Sequence, residues 1–168
     1  MLPCEVSLPG GERTMRAVRR ICVAVKDLSE SALAVDLVKA MNIDGVQVRV
    51  VHVCVQENFG RARFSIEQPE EASFIVESAL SDFLRAGIAV QGKVCHAAVG
   101  KASEAIVDDA TAWGAAAIVL GHSHRGKLGF RLRGNVVQRL LRSSPCRVIV
   151  AASEAVRGAD APEREQVA

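Results

Sequence analysis

The sequence predicts an α/β domain: an open, doubly wound, five-stranded parallel sheet with helices on both faces. Short valine-rich runs alternate with segments of helical periodicity. The runs are apolar throughout, as strands covered on both faces are. The length of 168 residues, with 49% hydrophobic and 24% charged, suits one domain with one core.

Each element has its own justification. Residues 20–25, Arg-Ile-Cys-Val-Ala-Val, form a continuous apolar first strand. Ser29 is expected to cap the first helix, with Leu33, Leu37, Val38 and Met41 on one face. Residues 46–55 form a second strand rich in valine. Residues 56–69 read as irregular, with Gly60, Arg61 and Arg63. The second helix carries a stripe of Ala72, Ile75, Val76, Ala79, Leu80, Phe83 and Leu84, and Gly87 stops it. Residues 88–97 are the third strand. Ser103 is expected to cap the third helix, with Ile106, Val107, Ala110 and Trp113 inward and Gly114 at its end. Residues 115–120 are the fourth strand. Asn135 is expected to cap the fourth helix, with Val136, Val137, Leu140 and Leu141 inward, and Pro145 blocks its continuation. Residues 147–151 are the fifth strand.

The flanks differ in composition. Residues 1–17 hold Pro3, Pro9, Gly10 and Gly11 and are expected to be a flexible extension. Residues 18–152 form the domain, and 153–168 are expected to be a flexible tail without an apolar face. A net charge of +2 is too small to point to nucleic acid or a membrane surface. Apolar runs fall short of the ~18 residues a membrane span needs. No leader sequence is read at the N-terminus, and the expected compartment is the cytoplasm. Five scattered cysteines without a C-x-x-C pair read as small, reduced core residues.

The chemistry concentrates after the fourth strand. From Gly121 to Arg142 stand Arg125, Lys127, Arg131, Arg133, Arg139 and Arg142, with no Asp or Glu among them. A glycine-rich loop between a strand and a helix presents backbone N–H groups and a positive helix end to an anion. In a strand order of 3-2-1-4-5 the reversal lies between the first and fourth strands, where such folds bind ligands. Asp27 and Gly121 then become neighbours. His122 and His124 stand two apart without a third ligand nearby, so solvated loop histidines are expected rather than a metal site. His52 and His96, at strand ends, are expected to be satisfied structural residues.

Four stretches in order resemble the universal stress protein family, over residues 19–152. They are residues 23–31 (VAVKDLSES), residues 51–53 (VHV), residues 100–106 (GKASEAI), and residues 121–135 followed by 140–150 (LLRSSPCRVIV). The family's nucleotide-binding branch carries G-x2-G-x9-G-[ST] after the fourth strand. Gly121 and Gly134 keep its first and last glycines, while His124 and Asn135 stand at the second glycine and the hydroxyl positions. The resemblance implies a stress-response regulatory protein that binds an adenine nucleotide: ATP first, AMP or cyclic AMP otherwise, with Mg only alongside ATP. It implies a site of Asp27, Val53, Leu120, Gly121, His124, Gly134, Asn135 and Val136. It also implies a homodimer paired through the last strand, 147–151. The alternative is a member that has lost nucleotide binding and acts through dimerisation and protein partners. An enzyme is not expected beyond slow ATP hydrolysis: no GxxxxGK[ST] loop, two-metal carboxylate cluster or nucleophile–base pair is readable.

Overall fold

The computed structural model describes residues 20–60, 62–122 and 129–152. The strands are β1 (Arg20–Ala24), β2 (Gln47–Phe59), β3 (Ala62–Ser65), β4 (Ala89–Ala98), β5 (Ala117–His122) and β6 (Arg147–Ala152). The helices are α1 (Leu28–Ala40), α2 (Pro69–Arg85), α3 (Ala102–Trp113) and α4 (Gly129–Ser143). The parallel strands run β4-β2-β1-β5-β6, the order expected for the five strands read from the sequence.

The sheet has one strand more than expected. Residues 56–69 are not irregular throughout: β2 continues to Phe59 and β3 folds back antiparallel on it, Gln56 opposite Ser65 and Phe59 opposite Ala62. Gly60, at φ 62, makes the tight turn. Carbonyls alternate sides along a strand. Val51 O accepts from Val25 N at 3.0 Å, and Val55 O accepts from Ile66 N at 3.2 Å. Gln56 O, on the other side, accepts from Val99 N at 3.3 Å. So β3 lies on the β1 side of β2, just past the end of β1.

Alternation along β1 builds two cores. Ile21, Val23 and Val25 point into one with Ala34, Val35 and Val38 of α1 and Ile75, Ala79 and Phe83 of α2. Cys22 and Ala24 point into the other with Ile106 and Ala110 of α3 and Leu140 of α4. Full burial of each large apolar side chain contributes about 1.5–3 kcal/mol. On β4, Gly92 is required by packing, since a Cβ there would overlap Val76 of α2.

Several local expectations are corrected. Asp27, not Ser29, caps α1. α3 starts at Ala102 without a side-chain cap, and Ser103 lies buried inside it. Leu84 is 62% exposed, because it projects from the side of α2 away from Ile75, Ala79 and Phe83. Leu141 is likewise exposed, one residue past the buried Leu140. Trp113 is half-buried, with the Arg49 and Arg20 guanidinium carbons 4.9 and 5.8 Å from its ring centroid. Arg49 and Lys93 meet the buried Asp109 at 3.2 and 2.5 Å, and this network ties α3 to β2 and β4. Asn135 is interior to α4, which begins six residues earlier at Gly129, in a stretch free of proline.

Among the described residues Cys22, Cys54, Cys95 and Cys146 are free thiols. Burial, and then the charge of Asp109, push the Cys22 thiol up to about 12. At about pH 8, alkylation of the native protein should leave Cys22 unmodified until denaturant is added. Peptide mapping checks this, and rapid native labelling of Cys22 would contradict the packing.

Candidate functional site at the switch point of the sheet

β1 lies between β2 and β5, with Ala24 opposite Val51 on one side and Leu120 on the other. The chain leaves β1 into α1 on one face and leaves β5 toward α4 on the other. Two neighbouring parallel strands whose connections depart to opposite faces open a crevice at their carboxyl ends. The turn of Val25, Lys26 and Asp27 forms one rim of that crevice.

This turn is held by hydrogen bonds from several elements. Val25 N–H reaches Val51 O at 3.0 Å. Val25 O meets His52 Nδ1 at 3.0 Å. Lys26 N–H donates to Glu30 Oε2 at 2.7 Å. Asp27 Oδ1 accepts from Ser29 N–H at 3.0 Å and from Ser29 Oγ at 2.5 Å. Asp27 is thus a helix cap at the crevice rim, half-buried and with one carboxylate oxygen already engaged.

Gly121 has a packing reason to be glycine. A Cβ there would stand 2.5 Å from Glu30 Cβ and 2.8 Å from Glu30 O. Helix α1 therefore lies directly on the end of β5, and Glu30, 2% exposed, fills the α1 side of the crevice. Gly121 does not have positive φ, so the constraint is steric rather than conformational.

The other side is apolar. Leu120 is buried in the α3–α4 core, and Val53 and Val136 pack against that same cluster. Three of the expected site residues, from β2, β5 and α4, are thereby brought together beside the Asp27 turn. Gly134 and Asn135 lie within α4, and His124 lies outside the described residues, as do Arg125 and Lys127. The α4 base is anchored by Arg139, whose Nη1 donates to Gly100 O in the β4–α3 connection.

One pair was not anticipated as part of this region. His52 Nε2 stands 2.6 Å from Glu67 Oε2, just before α2, so both ring nitrogens are engaged. A satisfied histidine was expected at position 52. Its partner was not, because Glu67 lies in a stretch that reads as irregular.

A doubly wound domain with a switch-point crevice and an apolar floor belongs to a broad class of small-ligand-binding α/β folds. The match to known proteins is narrower. Residues 17–152 match the model of the universal stress protein family, and the chain belongs to that family. It is similar to the universal stress protein from Archaeoglobus fulgidus: 25% identity, 79% of this chain and 98% of that one covered, TM-score 0.57. A structure of the Archaeoglobus fulgidus protein in complex with dAMP matches at 24% identity over 79% and 97% of the two chains, TM-score 0.56. A family protein from Arabidopsis thaliana with AMP bound matches at 12% identity over 82% and 93%, TM-score 0.55. No curated protein matches the sequence.

Gly121→Ala should destabilise the fold by about 2 kcal/mol, since α1 must shift to admit the methyl group. Asp27→Ala should cost about 1 kcal/mol through loss of the α1 cap. Urea denaturation followed by the fluorescence of Trp113, the single tryptophan, reads both. A neutral Gly121→Ala would mean that α1 does not sit on β5.

Proposed function

We infer that this protein is a cytoplasmic stress-response regulator that binds an adenine nucleotide, ATP first, in the crevice between β1 and β5. The observation that carries this reading is the convergence of Val53, Leu120 and Val136 in one apolar cluster beside the Asp27 turn. Apolar side chains beside a carboxylate suit a purine and a ribose hydroxyl. Membership of the family, and the dAMP and AMP bound to its relatives, support the same ligand class.

In this reading Asp27 holds the adenine or ribose, and the three apolar side chains wall the base. The phosphates extend past Gly121 and His124 toward the basic segment. Gly134 and Asn135 lie inside α4, where backbone N–H groups are used by the helix. The unpaired N–H groups lie instead in its first turn, from Gly129. Arginine and lysine supply the charge there, and Mg enters only as the companion of ATP. No residue is assigned a chemical step beyond slow hydrolysis.

The second reading, partner binding without nucleotide, is favoured by β6. This strand ends the parallel series and leaves Val150 37% exposed. An open apolar edge pairs readily with a second copy. Val150→Lys should convert a dimer to a monomer in sedimentation velocity, and an unchanged mass would remove this interface.

Calorimetric titration with Mg-ATP, AMP and cyclic AMP tests the nucleotide reading. Saturable binding is expected, and it should weaken in Asp27→Asn, which keeps the α1 cap but removes the carboxylate. Absence of binding by all three at millimolar concentration would leave the partner-binding reading. A phosphate-release assay at background would exclude even slow hydrolysis.

A further inference from the structure

We propose that His52 and Glu67 are positioning residues that set the Val25–Asp27 turn through a proton held between them. The ring of His52 is 3% exposed and spans two oxygens. Nδ1 faces the carbonyl of Val25 at 3.0 Å, and Nε2 faces the carboxylate of Glu67 at 2.6 Å. A carbonyl oxygen can only accept, so Nδ1 carries a hydrogen. A neutral imidazole with its hydrogen on Nδ1 leaves a lone pair on Nε2. That lone pair would confront a carboxylate oxygen at hydrogen-bond distance, so a second proton lies between Nε2 and Oε2. It completes a continuous chain from Glu67 through His52 to Val25.

The placement gives the chain a role beyond local packing. Glu67 lies between β3 and α2, and β3 lies past the end of β1 on the same side of β2. Cys54, on the same face of β2 as His52, continues the attachment: its Sγ is 2.8 Å from Ser65 Oγ. The β2–β3 hairpin is thus joined at two points to the strand whose neighbour carries the turn. On the other side of the turn, Glu30 takes the Lys26 N–H. Val25 and Lys26 are gripped from β2 and from α1 in succession, and Asp27 is the next residue. The orientation of Asp27 therefore depends on a residue 40 positions later, Glu67. The effect on ligand affinity rests on the nucleotide reading above; the positioning itself does not.

Two substitutions separate the proton chain from simple packing. In Glu67→Gln the amide N–H can donate to a bare Nε2, leaving Nδ1–H on Val25. In Glu67→Ala the second proton loses its acceptor, and the ring is held only by Nδ1–H on Val25 O. Ring nitrogen NMR on the wild type and Glu67→Gln should show a hydrogen on Nδ1 of His52. Glu67→Ala should keep the hydrogen on Nδ1 and show a bare Nε2, the nitrogen that shares the second proton in the wild type. The backbone amides of Lys26 to Ser29 should exchange on the order of tenfold faster in Glu67→Ala, the loss expected for one charge-assisted hydrogen bond. Glu67→Gln should restore their protection. The proposal is overturned by a bare Nδ1 in the wild type, or by turn amides indifferent to Glu67→Ala. Mg-ATP, AMP and cyclic AMP titrated into the three proteins read the consequence: affinity for the nucleotide that binds should fall with Glu67→Ala and return with Glu67→Gln. If no adenine nucleotide binds any of them, the nucleotide reading fails, while the NMR and exchange results still decide the positioning role.

Discussion

Strand β1 sets the constraint on which the rest depends. Residues Ile21 to Ala24 are buried on both faces and paired on both edges. Such a strand can satisfy its backbone only within the sheet, so order and register around it are fixed by hydrogen bonding. Its side chains must serve two cores at once, which explains an unbroken apolar run. It emerges at a single turn, and the elements gathered there (α1, β2, β5 and the β2–β3 hairpin) are the neighbours β1 imposes.

That crowding shapes the candidate site. The α1 side of the crevice is occupied by Glu30 lying on Gly121, and the turn is tied by His52, Glu30 and Ser29. The α3–α4 side offers the apolar floor. Asp27, Glu30 and Glu67 surround the turn, and in the sequence residues 121–142 carry six cations and no anion. A ligand with a neutral base at one end and phosphate at the other matches that polarity.

The sequence made the sheet readable because its signals were continuous. Residues 21–25 and 115–120 are apolar without interruption, and residues 46–55 carry six valines; no competing periodicity exists there. The β2–β3 hairpin was hidden because Gln56, Glu57 and Asn58 break the apolar run of β2 and the alternation of Ala62, Phe64 and Ile66 is short; its strands are held by backbone pairing and by Cys54–Ser65. Helix starts were misread at Ser29 and Ser103: Asp27, two residues earlier, takes the cap of α1, and α3 starts at Ala102 with no side-chain cap and Ser103 buried inside it. Around the candidate site, the family pattern singles out Val53, Leu120 and Val136, and these share one apolar cluster. Gly121 was read as a ligand-facing glycine, although the close approach of α1 already requires it. The Glu67–His52 contact joins residues 15 apart across a hairpin, a distance that no local pattern encodes.

The central claim is the location of ligand binding, and chemical-shift mapping with isotope-labelled protein and ATP tests it directly. The account predicts perturbations confined to the turn at 25–29, to Val53, to Leu120 and Gly121, and to the α4 segment that includes Val136. Saturable perturbations centred elsewhere, such as the outer face of α2 around Phe74, with the β1–β5 crevice unaffected, would contradict it.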